Sequence, residues 1–314
     1  MTGWSRTSPA SSDYLWVAKT DENGNVEWNK TYVLGQISRG AAIVETVEGG
    51  YAVGGYTFGQ DNSDVILARF DGSGNLVWNR TFGSPDTDDD SSFLVKCTDG
   101  SYVLGGYTIN NGKFNALIIK TDVDGEMQWN RTFSPDGDAS IFGGVVVQTV
   151  DGDYAYAGQI SDLSNNADFW LTKVDANGSP LWNRTIGTPN WEEPPRLIET
   201  KDGGFALVGF SGSPMITWGD FWLVKTDALG NVQWNKTYGT GHVAIPLCLV
   251  QASDGAYVMG GPAPFMGNPM LWLVKTDREQ GLAWTDSPPD RITIYGDEAV
   301  WWDLVRVRIC KARR

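Results

Sequence analysis

Histidine and cysteine, the residues that most often bind zinc, are nearly absent from this chain of 314 residues. The single histidine is His242, and the three cysteines, Cys97, Cys248 and Cys310, form no Cys-x-x-Cys pair and no Cys/His cluster. This spacing argues against a zinc site and against a disulfide scaffold. We therefore expect no metal and no cofactor, and we expect the cysteines to be buried and unbridged.

Positive charge and long apolar runs are scarce as well. The chain has 24 basic against 38 acidic residues and a net charge of −14, which repels nucleic-acid phosphates and anionic lipid headgroups. No run of about 18 uninterrupted apolar residues is present, so no membrane span is expected. The residues from Met1 to Arg6 do not open a signal peptide. Nucleic-acid and membrane-surface binding are both disfavoured.

The sequence also lacks the 3.6-residue hydrophobic period of a helix. What it contains in quantity is 38 glycines and 15 tryptophans, together with 11 tyrosines and 12 phenylalanines. Short apolar runs alternate with glycine-bearing turn signals every 8 to 12 residues, a pattern typical of an antiparallel all-β fold.

A tetrapeptide, Trp-Asn-Lys/Arg-Thr, recurs along the chain. Its five copies begin at Trp28, Trp78, Trp129, Trp182 and Trp234, at intervals of 50, 51, 53 and 52 residues, and a degenerate sixth copy lies at Trp284. Each repeat reads as four short strands, the last of which contains the tetrapeptide. Four strands in about 50 residues are one blade of a β-propeller.

The sequence predicts one domain, a six-bladed β-propeller over residues 1–314. Five complete blades are expected at about 42–82, 93–133, 143–186, 195–238 and 247–285. The N-terminus supplies only a third and a fourth strand within 14–33, and two apolar segments within 288–310 complete a composite blade that joins the chain ends. Seven blades are the alternative, because the segment from Trp4 to Thr7 resembles a fourth strand.

The unit D-F-W-L-V-K-T-D-x-x-G-N-x-x-W-N-[KR]-T, best preserved at residues 220–237, resembles repeats of uncharacterised secreted β-propellers of archaea and bacteria. This resemblance implies the scaffold, with an architecture like that of WD40 and quinone-binding propellers, and an extracellular or cell-surface location. It implies no activity. The adjacent cysteine pair of quinone dehydrogenases is missing, so a quinone enzyme is disfavoured.

Three repeated features have structural interpretations that we prefer to functional ones. The turns that start at Asp21, Asp71, Asp122, Asp175 and Asp227 lack the closing carboxylate of a calcium loop and are typical of hairpin turns. The basic residues Lys19, Arg69, Lys120, Lys173, Lys225 and Lys275 each precede an aspartate by two positions and are expected to pair with it.

The five tetrapeptides are also acceptor sequences for N-glycosylation, at Asn29, Asn79, Asn130, Asn183 and Asn235. In an extended strand the asparagine and threonine project from one face, and the tryptophan and the basic residue from the other. We expect the tryptophan to anchor each blade to its neighbour. Glycosylation of the asparagines is a second hypothesis for the same residues.

The candidates for catalysis are few. No Gly-x-Ser-x-Gly or His-Glu-x-x-His motif is present, and no catalytic residue is assigned. Carboxylate pairs are the remaining possibility for acid–base chemistry. The acidic residues in predicted connecting loops are Asp86, Asp88, Asp89, Asp90, Glu192 and Glu193.

The predicted loops fall into two classes. The turns between first and second strands, and between third and fourth strands, are nearly identical in all copies, whereas the other two loop sets differ in every blade. In an up-and-down blade both variable sets emerge on one face, which we call the variable face. Its candidate ligand-binding residues are Phe58, Phe114, Trp191, Met215, Trp218, His242, Phe265 and Met266.

These observations favour a non-enzymatic binding or surface-interaction module whose variable face contacts a protein or a carbohydrate. The alternative is a carboxylate-dependent carbohydrate-active enzyme on the same face. The sequence favours the binding module because the only support for an enzyme is the set of acidic loop residues.

Overall fold

The computed structural model describes residues 1–5, 13–59, 62–134, 139–161, 166–213, 218–239, 243–263 and 270–276. Every regular element within these ranges is a β-strand, so the all-β prediction is confirmed. No helix among the described residues could cross a membrane.

The strands form six consecutive units. Unit 1 consists of β1 (Thr2–Ser5), β2 (Tyr14–Thr20) and β3 (Val26–Tyr32). Unit 2 consists of β4 (Ile37–Glu45), β5 (Tyr51–Phe58), β6 (Ser63–Phe70) and β7 (Leu76–Phe82). Unit 3 consists of β8 (Asp88–Lys96), β9 (Tyr102–Asn110), β10 (Lys113–Thr121) and β11 (Met127–Phe133).

The second half of the chain repeats the pattern. Unit 4 consists of β12 (Ser140–Gln148), β13 (Tyr154–Ser161), β14 (Ala167–Val174) and β15 (Pro180–Ile186). The short β16 (Trp191–Glu192) precedes unit 5, which consists of β17 (Arg196–Glu199), β18 (Phe205–Gly212), β19 (Gly219–Thr226) and β20 (Val232–Tyr238). Unit 6 consists of β21 (Cys248–Gln251), β22 (Tyr257–Pro262) and β23 (Leu271–Lys275).

Each unit is an antiparallel meander, and units 4 and 5 are joined into one sheet through β16. The first strands of consecutive units, β4, β8, β12, β17 and β21, contact one another in that order. Apolar clusters fill the spaces between neighbouring units. This is a propeller-like arrangement, with the first strands innermost and the Trp-Asn-Lys/Arg-Thr strands outermost.

The N-terminal unit differs from its prediction. It has three strands rather than two, because Thr2–Ser5 pairs with Tyr14–Thr20. Trp4 lies opposite Leu15 in β2, as Tyr56 lies opposite Val65 in unit 2, so β1 occupies the place of a second strand. The interpretation of Trp4 to Thr7 as a fourth strand is therefore wrong. The number of blades stays a prediction, since residues 277–314 lie outside the described ranges.

The first strands begin earlier than their hydrophobic pattern suggests. A bulge interrupts the pairing of β4 between Gly40 and Ala42, and equivalent bulges follow Ser91 in β8 and Phe142 in β12. A bulge shifts the alternation of side chains between the two faces of the strand. The residues before the bulge therefore do not fit the two-residue hydrophobic pattern of the residues after it. Asp88, Asp89 and Asp90 are consequently strand residues, and their assignment to a loop is wrong.

The repeated tryptophan joins each unit to the next, as predicted. Trp28 lies edge-on to Tyr51 of unit 2 with ring centroids 5.9 Å apart, and its indole nitrogen donates to the carbonyl of Gly72 at 3.3 Å. The corresponding pairs in later units are Trp78–Tyr102, Trp129–Tyr154, Trp182–Phe205 and Trp234–Tyr257. We call this contact the tryptophan clamp.

The clamp depends on a glycine in the next unit. Gly74, Gly125, Gly178 and Gly230 have positive φ, and a Cβ on any of them would come within 3.0 Å of the preceding tryptophan ring. The basic residue of the tetrapeptide also lies close to the ring, with the Arg80 guanidinium 5.3 Å from the centre of Trp78. A side chain larger than hydrogen at the glycine would displace the indole.

The aspartate turns have the predicted hairpin chemistry. Asp71 Oδ1 accepts hydrogen bonds from the backbone amides of Ser73 and Asn75, at 2.9 and 2.8 Å, and Asp21, Asp122, Asp175 and Asp227 do the same in their turns. These bonds, with one from the Asn75 side chain, hold the pKa of Asp71 below its ordinary value. No group of acidic residues with metal-binding geometry occurs within the described ranges.

The predicted ion pairs have different partners. Lys173 contacts Asp151 and Asp153, Lys225 contacts Asp202, and Arg69 contacts Glu48, all across to the turn between first and second strands. A register shift directly after each basic residue places the following aspartate in the hairpin turn, where it binds the turn's own backbone. Pairing with the aspartate two positions on is therefore wrong for Arg69, Lys173 and Lys225, although these residues keep a structural role. Asp277, the expected partner of Lys275, lies outside the described residues.

Candidate functional site

The innermost strands carry one row of side chains at the variable face. Arg39 pairs with Tyr56, Asp90 with Tyr107, and Phe142 with Gln159, and each partner is the sixth residue of its second strand. Glu193 occupies the same place in unit 5, where its amide donates to the carbonyl of Phe210 at 3.0 Å. We call Arg39, Asp90, Phe142 and Glu193 the mouth row.

Arg39, the cationic residue of the mouth row, contacts three neighbouring side chains. Arg39 donates to Asp13 Oδ2 from Nε at 2.8 Å, and Asp13 is only 1% exposed. The guanidinium lies 4.9 Å from the ring centre of Trp4 and 5.9 Å from that of Tyr56. Burial raises the pKa of the Tyr56 hydroxyl, so this group is a neutral hydrogen-bonding partner at neutral pH.

An aromatic strip links the next two members. The Tyr107 hydroxyl donates to Asp90 Oδ2 at 3.3 Å, and the Tyr107 ring lies 5.4 Å from Phe114. Phe114 in turn lies 4.5 Å from Phe142 of unit 4. Three partly exposed rings thus form a strip whose first member, Tyr107, contacts the Asp90 carboxylate, and such a strip can stack against the apolar face of a sugar.

Glu193 is the second carboxyl group of the row. It is partly buried, and desolvation raises its pKa above the ordinary value of 4.5. Gln159, the partner of Phe142, donates through Nε2 to the carbonyl of Glu192 at 2.6 Å and so connects unit 4 to this segment. A carboxyl group in such a place keeps its proton at a higher pH than a solvated one.

The remaining acidic candidates have structural roles. Asp88 Oδ1 accepts from the Ser63 amide at 3.0 Å, and Asp89, 5% exposed, accepts from the Thr87 hydroxyl at 2.7 Å. Asp86 is exposed in the turn before β8. These contacts leave Asp90 and Glu193 as the two carboxyl groups in equivalent positions of the mouth row.

Glu192 is fully buried at the junction of units 4 and 5. Its Oε1 accepts from the Thr188 hydroxyl at 2.5 Å and from the Ser211 hydroxyl at 2.9 Å. Burial nevertheless raises the pKa of this carboxyl above 4.5, because desolvation outweighs the hydrogen bonds. Its inaccessibility removes it from the list of catalytic candidates.

The buried Glu192 predicts a pH dependence of stability. Because its folded pKa is raised, its contribution to stability is complete below about pH 4.5 and is lost as the pH rises through the raised value. We expect Glu192→Gln to melt at or above the wild-type temperature near neutral pH, with a weaker pH dependence above about pH 4.5. Calorimetric scans across this range test it, and an unchanged pH profile would contradict it.

The predicted ligand-binding residues are distributed unevenly. Phe114 lies in the aromatic strip, while Phe58 and Trp218 are 39% and 51% exposed. Trp191 lies in β16 and pairs with Ala167 and Gly212, so it is a strand residue rather than a loop residue. Met215, His242, Phe265 and Met266 lie outside the described residues.

Sequence reasoning missed Arg39, Tyr56, Tyr107 and Phe142. Arg39 and Phe142 differ from their counterparts in other units, a tyrosine like Tyr56 and Tyr107 occurs in only two of the units, and the bulges conceal the common register. A comparison of copies aligned on the sixth residue of the second strand is the signal that would have found them.

The five candidate glycosylation asparagines and their threonines are all exposed on the outermost strands. The tryptophan and the basic residue of the same tetrapeptides face the next unit, as the strand geometry predicted. Use of these acceptor sequences stays a prediction.

Comparisons with known proteins support the fold. The chain matches no protein-family model and no curated protein sequence. A protein of unknown function from Dyadobacter fermentans aligns with a TM-score of 0.54 and 12% identity over 86% of this chain and 85% of its own. A subtype N10 neuraminidase-like protein of A/little yellow-shouldered bat/Guatemala/060/2010 aligns with a TM-score of 0.51 and 10% identity, over 79% and 80%. At these identities the similarity concerns the fold alone and agrees with a propeller-like architecture.

Proposed function

We propose that this protein is a carbohydrate-active enzyme that cleaves a glycosidic bond at the variable face with two carboxyl groups, Glu193 and Asp90. The observation that carries the proposal is the mouth row, in which Asp90 of β8 and Glu193, from the segment between β16 and β17, lie opposite the sixth residue of the second strand of their units. One structural neighbour has a name that refers to neuraminidase, an enzyme class that acts on sugars. The fold therefore suits the proposed chemistry.

The two carboxyl groups would have different roles. The raised pKa of Glu193 suits a general acid, which must be protonated to donate to the leaving-group oxygen. Asp90, held by the Tyr107 hydroxyl, would act as the nucleophile or as the base that activates water. The rings of Tyr107, Phe114 and Phe142 would stack against the sugar. Arg39 would keep Asp13 and Tyr56 in place next to the bound sugar.

Single-residue variants test this assignment against a panel of oligosaccharides from arabinan, galactan, mannan, xylan and cellulose, with sialyllactose included. Glu193→Gln and Asp90→Asn are each expected to lower kcat by about 10²–10⁴-fold while folding is retained. In the wild type the rate should fall as the pH rises through the raised pKa of Glu193, because the acid loses its proton, and Glu193→Gln should remove this limb.

Asp86→Asn is the matched control, because Asp86 lies four residues before Asp90 and is exposed. It should leave the rate unchanged. Equal losses in the control and the test variants would refute the assignment. A wild-type protein that binds a panel member without cleaving it would instead support the non-enzymatic binding module, as would loss of that binding on truncating Phe114. Secretion or surface display is part of either proposal.

A further inference from the structure

Unit 3 departs from its neighbours at the start of its third strand. In units 2, 4 and 5 the second residue of the third strand, directly before a buried core residue, is an aspartate: Asp64, Asp168 or Asp220. Each lies against a glycine, where a Cβ would come within 2.0 Å of the carboxylate. In unit 3 the same two places hold Asn115 and Ser134. The charge and the tight packing that units 2, 4 and 5 share at these places are both absent from unit 3.

A surface cavity of about 570 Å³ opens at this point, between units 3 and 4. Asn110, Lys113 and Asn115 line it from unit 3, Ser134 lies at the end of the outermost strand, and Ser140 lies at the start of β12. Ser140 Oγ also accepts from the Phe114 amide at 3.4 Å, so the cavity adjoins the aromatic strip. Its volume lies within the range of small-molecule sites.

Two buried polar atoms, one on the cavity-lining residue Asn115 and one on the residue paired with it, have no hydrogen-bond partner among the described residues. They are Asn115 Oδ1 and Thr108 Oγ1, whose residues are 5% and 4% exposed. Thr108 and Asn115 lie directly opposite each other in β9 and β10, so their side chains share one face of the sheet. The side-chain nitrogen of Asn115, Nδ2, already donates to the Lys113 carbonyl at 3.2 Å.

The equivalent hydroxyl groups elsewhere are satisfied. In unit 2 the Thr57 hydroxyl donates to the Ile37 carbonyl at 2.9 Å, and in unit 5 the Ser211 hydroxyl donates to Glu192. A buried polar group without a partner is costly, so such groups are retained where a ligand or ordered water satisfies them. The unpaired atoms are thus a feature of unit 3 among these three copies.

We infer that the Thr108–Asn115 cavity is a binding subsite for a neutral sugar residue. Asn115 Oδ1 requires a donor, and the Thr108 hydroxyl can donate to an acceptor, so one sugar hydroxyl can satisfy both atoms. A carboxylate has no proton to donate to Asn115, and Lys113 on the rim opposes an ammonium group. This inference rests on the proposed function and adds to it a preference for uncharged sugar chains.

The experiment measures calorimetric affinities for the same oligosaccharide panel, using catalytically impaired Glu193→Gln as the parent protein. We expect this protein to bind a neutral oligosaccharide more tightly than sialyllactose. Thr108→Val and Asn115→Leu should each weaken that binding about tenfold, the effect of one lost hydrogen bond to a buried group. Thr108→Val should not lower the melting temperature without ligand, because the Thr108 hydroxyl lacks a protein partner. Asn115→Leu should lower it slightly, because this change also removes the hydrogen bond from Asn115 Nδ2 to the Lys113 carbonyl.

Thr57→Val in unit 2 is the matched control, since its hydroxyl has a backbone partner. It should lower the melting temperature and leave the affinity unchanged. If Thr108→Val lowers the melting temperature and leaves the affinity unchanged, ordered water satisfies the two atoms and the subsite is refuted. If no member of the panel binds the parent protein, the subsite is also refuted.

The outcomes separate this inference from the proposed function. Unchanged affinity in Thr108→Val and Asn115→Leu, with catalysis still dependent on Glu193 and Asp90, would overturn the subsite alone. Weakened affinity in both variants, with no catalysis by the wild type, would support the subsite and overturn the enzyme.

Discussion

Replacing Trp129 or Trp182 with alanine is expected to lower the free energy of unfolding by about 3 kcal/mol, the lower end of the range for aromatic truncation in cores, because both rings are only partly buried. The loss combines a hydrogen bond from Trp129 Nε1 to the Ala176 carbonyl at 3.1 Å with an edge-on contact to Tyr154. Trp182 makes the same contact to Phe205 and packs on the core between units 4 and 5.

Denaturant titration of these variants should be compared with that of Trp218→Ala. Trp218 is 51% exposed at the variable face, and its truncation should change stability by less than about 0.5 kcal/mol. Similar losses in Trp218→Ala and Trp129→Ala would show that the clamp contributes no more than a surface ring. Trp191 is unsuitable as a control, because β16 joins two units.

Removal of residues 288–314 is expected to lower the melting temperature by about 5 °C or more, which corresponds to a loss of at least about 3 kcal/mol in a domain of this size. Unit 1 has strands in the second, third and fourth places, and no described residue fills its first place. We propose that the segment 288–310 supplies this strand and closes a six-bladed ring. Without it, the edge of β1 is exposed to pairing with other chains.

A glycine supports this proposal. Gly74, Gly125, Gly178 and Gly230 each face the tryptophan of the preceding unit, whereas the equivalent Gly24 has no described atom within 4 Å of a Cβ built on it. Trp284 follows Trp234 by 50 residues and is the one remaining tryptophan at the repeat interval. In a closed ring it would clamp Gly24.

Trp284→Ala should then destabilise the protein about as much as Trp129→Ala, and removal of residues 311–314 alone should have no effect. Thermal melts and sedimentation velocity measure stability and self-association together. If the protein without residues 288–314 keeps both its melting temperature and its monomeric state, the ring is closed in another way or is open.

Much of the fold could be predicted from the sequence because its determinants are local and repeated. The interval between tetrapeptides gives the unit, and the Asp and Gly positions give the turns, as at Asp71 and Gly74. The partners of Arg69 and Lys173 could not be predicted, because the register shift that redirects them leaves no mark in the composition of the strand. The strand Thr2–Ser5 was missed because it stands without the rest of its unit.

The candidate site was predicted only as a face of the fold. Asp90 and Glu193 were identified among the acidic candidates, but they could be distinguished from the buried structural groups Asp89 and Glu192 only once the packing was known. Arg39 and Phe142 were missed because their importance lies in a shared register rather than in a shared residue type.

The tryptophan clamp uses groups from two successive units only. In its first four copies the tryptophan of the outermost strand contacts the second strand and the third-to-fourth-strand turn of the next unit. A unit that carries both halves of this contact can be copied in tandem, and the copy meets its neighbours without further change. Growth of the molecule by duplication therefore requires no new interface. The innermost strands have no contact of this repeated kind. The sequence of each new copy can therefore change at the mouth row while that of its outermost strand stays constant. This division accounts for five nearly uniform tetrapeptides in the same chain as an arginine, an aspartate, a phenylalanine and a glutamate at one position.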